Sequence, residues 1–278
     1  MTDLCPIFKQ EHKSTLLIQN PASFTRGIQA GFSTRKGGAS IGEYQSLNLG
    51  YHVNDKEEHV TKNRHILAAA VGDPLENWVF AEQTHRDQIV KVPHILKGSG
   101  AFSQAGAIKD TDGLYTKEND IVLALLYADC IPLYFQAPEK HLIGLAHAGW
   151  KGTVLNIAGK MIKLWEDAEG VNRSDIQAVI GPGISKAQYE VDERIIKAVD
   201  DTMNELAIEV KPYQKLETGT FLLDLKKMNV LLLRNAGLHD SQIHVSPICV
   251  NREEEHFFSH RRAKGQTGRM AAWITQKT

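Results

Sequence analysis

The sequence predicts an α+β fold, one domain over residues 1–278, with mixed β-sheet flanked by helices. Short apolar runs follow one another closely and are joined by short turns, which suits hairpins. Helical periodicity comes later and separately, not alternating strand by strand as in a doubly wound sheet. No internal repeat, low-complexity tract or Pro/Ser-rich linker divides the chain.

Three segments read as helices. Asn54 or Asp55 can cap a first from Glu57 to Val71, with Gly72 as its stop. A second runs from Gly152 to Ala168, where Val154, Ile157, Ala158, Met161 and Trp165 follow the spacing of a buried stripe. Asp224 begins a third, rich in leucine and ended by Gly237. Strands are expected at Ile28–Thr34, Trp78–Glu82, Gln88–Val92, Ile121–Ala128, Leu133–Phe135 and Leu142–Ala146. Others are expected near Ala178, His244 and Ala271, and the glycine-rich stretch Lys97–Gly106 reads as a mobile loop.

A chain that is 42% hydrophobic can bury a sizeable core, and a net charge of −1 without a basic stripe or polybasic cluster excludes nucleic acid and membrane surfaces as partners. A small-molecule substrate is expected, handled by a monomer or homodimer. The three cysteines, Cys5, Cys130 and Cys249, are scattered and odd in number, which suits a reducing compartment. The opening residues carry no apolar stretch like a secretory signal, and the apolar run Ile121–Ala128 is too short to span a bilayer. A cytoplasmic protein is expected.

Three apolar strands end in residues able to do chemistry. One leads into Asp129-Cys130, another into His147, and a third into His85. Active sites concentrate where rigid elements hand over to loops. Cysteine and histidine suit zinc, and three protein ligands leave a fourth position for a water that ionises near neutral pH. Taken singly, each has an ordinary alternative: a small buried hydrophobe for Cys130, a hydrogen-bonded structural imidazole for His85 and His147. Cys130 can also be read as a metal-independent nucleophile with His147 as its base.

Asp129 is a candidate general base or substrate-orienting acid, or else a turn cap; it shares a pocket with Cys130 only if the strand has ended, which Pro132 favours. Gly149, Gly152 and Thr153 lead into a helix whose amides suit an anion. Arg35 and Arg262 are candidates to clamp a phosphate, with solvated or structural arginines as the alternative. Cys249, His256 and His260 form a second candidate metal set through their His-x₃-His spacing.

The pieces Phe32–Gly38, Gln83–His85, Thr111–Gly113, Ala128–Pro132, His147–Thr153, Tyr189–Val191 and Phe257–Arg262, in this order, resemble the YfiH-like family. That family carries both a laccase-domain label and a purine nucleoside phosphorylase label. The resemblance implies a fold similar to cysteine hydrolases and a catalytic zinc on His85, Cys130 and His147. It also implies phosphorolysis of adenosine, inosine and methylthioadenosine with inorganic phosphate, and deamination of adenosine. The laccase label implies copper instead and a polyphenol oxidase. None of the twelve histidines forms a His-x-His pair, and one Cys/His₂ set cannot hold a multinuclear copper cluster. Three departures stand out: Gly183 where many relatives have cysteine, Thr84 and Arg86 around His85, and a longer stretch at Gly98–Gly106.

Overall fold

A computed structural model describes residues 7–19 and 27–277; Cys5 lies outside them. The strands Val122–Tyr127, Ile131–Ala137, Leu142–Ala148 and Met270–Gln276 are buried at every position. Strands covered on both faces need apolar residues throughout, and these supply them. Among the described residues the first sheet has six strands, in the order Phe8–His12, Thr15–Ile18, Ile28–Ser33, Met270–Gln276, Val122–Tyr127 and Trp78–Phe80. The second orders Ile243–Val245, Gln177–Ile180, Ile131–Ala137, Leu142–Ala148, Gly113–Thr116 and Ile89–Lys91. Each mixes parallel and antiparallel pairs, as expected for the α+β class.

The sheets pack face to face. Successive side chains on a strand point to opposite faces, so Leu123, Leu125 and Tyr127 enter the inter-sheet core with Tyr134, Ile143, Leu145 and Val179. Their neighbours Val122, Ala124 and Leu126 meet helix α1 (Glu57–Val71) through Leu67, Ala68 and Val71. On the far side of the second sheet lie four helices: α2 (Trp150–Val154), α3 (Ile157–Glu169), α4 (Glu193–Glu205) and α5 (Leu225–Asn235). Met161 and Trp165 of α3 and Met228 and Leu232 of α5 pack there with Leu133 and Phe135. Emptying one such position, as in Leu125→Ala, costs about 2–5 kcal/mol.

Several expectations need correction. The second helix is two helices, because Asn156 takes a left-handed conformation (φ 58°) and its side chain accepts from the Gly159 N–H. Helix α1 has Lys56 at its N-cap without a side-chain cap; Asp55 is spent on Ser40 and Asn48. The run to Ala128 and the strand containing Pro132 are no hairpin, since the chain passes there from the first sheet to the second. Lys97–Gly106 is pinned, not mobile: Ala101 is buried, and the carbonyls of Gly100 and Ala101 accept from the buried Arg64 guanidinium. The hairpin Phe8–Ile18, helix α4 and a small antiparallel sheet (Glu190–Val191, Phe221–Leu223, Tyr213–Lys215) were not anticipated. Among the described residues no helix is long and apolar enough to cross a membrane.

Candidate metal centre

Two crossings between the sheets lie side by side. Residues 81–88 connect Trp78–Phe80 of the first sheet to Ile89–Lys91 of the second and carry His85. Residues 128–130 connect Val122–Tyr127 to Ile131–Ala137 and carry Asp129 and Cys130. Trp78–Phe80 and Val122–Tyr127 are parallel neighbours, so both crossings leave from the same end. His147 lies opposite Pro132 on the adjacent strand of the second sheet. Donor atoms of His85, Cys130 and His147 thereby come within 4.8 Å of one another, the one group of its kind among the described residues.

The break that turns Asp129 and Cys130 toward one cavity is a left-handed residue, Asp129 at φ 89°, and not Pro132, which lies inside the next strand. Its backbone carbonyl accepts from the Ile184 N–H, beside Gly183. The Asp129 carboxylate is buried. One oxygen accepts from the Arg261 backbone N–H at 2.6 Å; the other has no protein partner. An acceptor left so in a buried place is costly unless a ligand or water supplies the donor.

Asp112 organises the floor. It accepts from the backbone N–H groups of Thr84, His85 and Arg86 at 2.8–3.1 Å and from His147 Nδ1 at 2.8 Å. The first set fixes the His85 loop through its main chain, with the Thr84 hydroxyl also within 3.4 Å of the same carboxylate. The second fixes the His147 tautomer and leaves Nε2 for a metal. Burial alone would raise the Asp112 carboxyl, but the His147 hydrogen bond and charge, with the Arg86 and Thr84 N–H groups, hold it lowered.

Burial would also push the Cys130 thiol up, yet the charge of His147 and hydrogen bonds from His147 and His85 bring it down to about 6. His147, which burial alone would lower, is raised to about 9 by Cys130 and Asp112. The sulfur is therefore poised as a thiolate, the form that ligates metal. Gly149 completes the floor: a Cβ there would meet Cys130 Sγ at 2.8 Å and His85 Cδ2 at 3.3 Å. The donor set, the fixed tautomer and this clearance fit zinc or another borderline-soft ion.

A cavity of about 570 Å³ rises from this floor, within the size range of small-molecule sites. Trp150, Tyr189, Leu126 and Ile195 supply aromatic and apolar wall; His52, His260, Arg261 and Arg269 add cationic or polar rim. The Arg261 guanidinium lies over the Tyr189 ring at 5.0 Å and donates to the Glu190 carbonyl.

The residues expected to hold phosphate are placed elsewhere. Arg35 stacks over Phe258 at 4.6 Å and donates to the Gln45 carbonyl, away from the cavity. Arg262 spends its guanidinium on the carbonyls of Val250, Asn251 and Phe257. Gly149 fits against the ligand side chains, and the helix that follows, α2, is little more than one turn. The alternative metal set is dispersed as well. Cys249 is buried, with its sulfur accepting from the Ser185 N–H; His256 meets Lys36; His260 alone reaches the cavity. Sequence reasoning missed Asp112, Tyr189 and Arg269. Asp112 and Tyr189 lie inside motif pieces that were noted without a role.

A family model described as multi-copper polyphenol oxidoreductase laccase matches residues 29–277. The chain belongs to this family. Within the laccase family it is similar to the purine nucleoside phosphorylase YlmD of Bacillus subtilis, 45% identical over 267 residues, which cover 95% of each chain. The crystal structure of YlmD from Geobacillus stearothermophilus superposes with a TM-score of 0.93 at 43% identity, covering 98% of this chain and 99% of that one. The Bacillus licheniformis hypothetical protein YfiH gives 0.92 at 44% identity over 98% of this chain and 100% of its own. The expected α+β class and the YfiH resemblance both hold.

Proposed function

We propose that this chain is a zinc-dependent purine nucleoside phosphorylase, acting on adenosine, inosine and methylthioadenosine, with an accompanying adenosine deaminase activity. The observation that carries the proposal is the convergence of two imidazoles and a thiolate within 4.8 Å beneath a cavity with aromatic walls. Its relatives, named purine nucleoside phosphorylases, support the purine class.

His85, Cys130 and His147 would hold the ion, which supplies a Lewis acid. In the proposed reaction a phosphate oxygen bonds to the ribose anomeric carbon as the glycosidic C–N bond breaks. The bonding pair leaves on the purine, which takes up a proton. Asp129, which lines the cavity, would orient the nucleoside by accepting from a ribose hydroxyl or a purine N–H. Trp150 and Tyr189 provide flat surface for the base and exclude water from it.

Incubating the purified protein with adenosine, with and without phosphate, tests this reading. Adenine and ribose 1-phosphate formed only with phosphate establish phosphorolysis; inosine establishes deamination; neither product overturns the proposal. Metal analysis of protein expressed without added copper separates zinc from the copper of the family description.

One arrangement favours a second reading. Cys130, His147 and Asp112 stand in the order nucleophile, base and orienting acid found in cysteine hydrolases. Activity that survives a chelator and dies on thiol alkylation would select that reading.

A further inference from the structure

Phosphorolysis needs a place for an oxyanion, and neither Arg35 nor Arg262 has donors to spare at the cavity. Arg269 does. It lines the cavity, half-buried, without an ion-pair partner among the described residues. Its Nη1 donates to the carbonyls of Thr267 and Gly268 at 2.7 and 3.1 Å, which fixes the plane of the guanidinium. Among the described residues no acceptor meets its Nε or Nη2, the edge whose two parallel N–H bonds match a tetrahedral oxyanion. Its stem passes so close to Gly50 that a Cβ there would meet Arg269 Cγ at 2.9 Å and the His52 ring at 3.2 Å. The arginine is thus held from three sides, with one edge unused.

We infer that Arg269 is the oxyanion-binding residue of this cavity and holds inorganic phosphate through its Nε–Nη2 edge. The inference rests on the phosphorylase reading proposed above and adds its second substrate site. The charges lining the cavity sort the two substrates. Arg269 stands in the field of Cys130 and Asp129; a phosphate dianion is drawn to its free edge, while an uncharged nucleoside has hydroxyl donors for Asp129. Arg261, the other arginine at the cavity, is exposed and stacked on Tyr189, so it holds less of the site's geometry.

The test is a calorimetric titration of inorganic phosphate, with and without adenine, into the metal-replete wild type, Arg269→Met, Arg269→Lys and Arg35→Ala. Steady-state kinetics on the same proteins accompany it. Losing a bidentate, charge-assisted contact should weaken phosphate binding by about tenfold to a hundredfold in Arg269→Met. The phosphate KM should rise by the same factor, while metal content and the adenosine KM hold. Arg269→Lys keeps the charge and should recover part of the loss, which guards against a folding defect; Arg35→Ala should bind like the wild type. Unaltered phosphate affinity in Arg269→Met, or no phosphate binding by the wild type, overturns the assignment. A wild type that binds phosphate but splits no nucleoside sinks the phosphorylase reading and leaves Arg269 to the calorimetry. Phosphorolysis by Arg269→Met with an unchanged phosphate KM sinks Arg269 and leaves the phosphorylase.

Discussion

At the floor of the cavity, one buried carboxylate ties three consecutive backbone N–H groups to the His147 ring; Cys130 and His147 sit at or beside strand ends, and His85 stands in the crossing between two strands. At the rim, Arg261, Arg269, His52 and His260 come from loops, and Arg261 and His260 are exposed. Both regions are polar, but the floor is saturated with protein partners and the rim is not. Saturated groups hold geometry; groups with spare donors or acceptors are where a ligand gains binding energy. Asp129 belongs to both: it lines the cavity, with one carboxylate oxygen bonded to protein and the other buried without a protein partner.

Substitutions can break or sharpen that contrast. Removing a floor ligand should have the largest effect: Cys130→Ala should lose bound metal, and catalysis should fall by about 10³-fold or more. Circular dichroism should show the fold intact, and an active, metal-free variant would refute the floor's role. Asp129→Asn keeps a group of the same shape but removes the carboxylate charge. It should lower kcat/KM for adenosine by about 10²-fold at unchanged metal content; a loss of metal would move Asp129 wholly into the floor. Asp112→Asn should weaken zinc binding by about 10- to 100-fold, as loss of an outer-shell partner does, read by competition with a chromogenic chelator. Arg35→Ala, outside both regions, should cost about 1–2 kcal/mol of stability in denaturant unfolding through lost carbonyl contacts and ring stacking. Its kinetics should be those of the wild type, and a raised phosphate KM would restore the role first expected for it.

The Cys/His triad was legible because polar residues that follow closely on apolar runs are unusual, and His85, Cys130 and His147 converge where those runs share a sheet end. Arginine beside an aromatic carries no such information. Arg35 and Arg262 sit in conspicuous motif pieces, yet their guanidinium groups found carbonyls of their own loops. Asp112 was hidden because its partners are backbone N–H groups, which have no signature in side-chain sequence. Helix α4 had a readable signal, an Asp192 cap followed by Ile196, Val199 and Met203 on one buried face, and it was passed over. The α+β class followed from periodicity. That the run to Ala128 and the strand from Ile131 belong to different sheets did not, since a short connection looks the same in a hairpin and in a crossing.

His85 and Cys130 each stand on a bridge from one layer to the other. The separation of those layers is set by the girth of Leu125, Tyr134, Leu145 and their neighbours. A methyl group added or removed deep in that interior would therefore be felt at the donor atoms. Interior bulk becomes a tuning screw for the chemistry, and variants that never touch a substrate can still retune it.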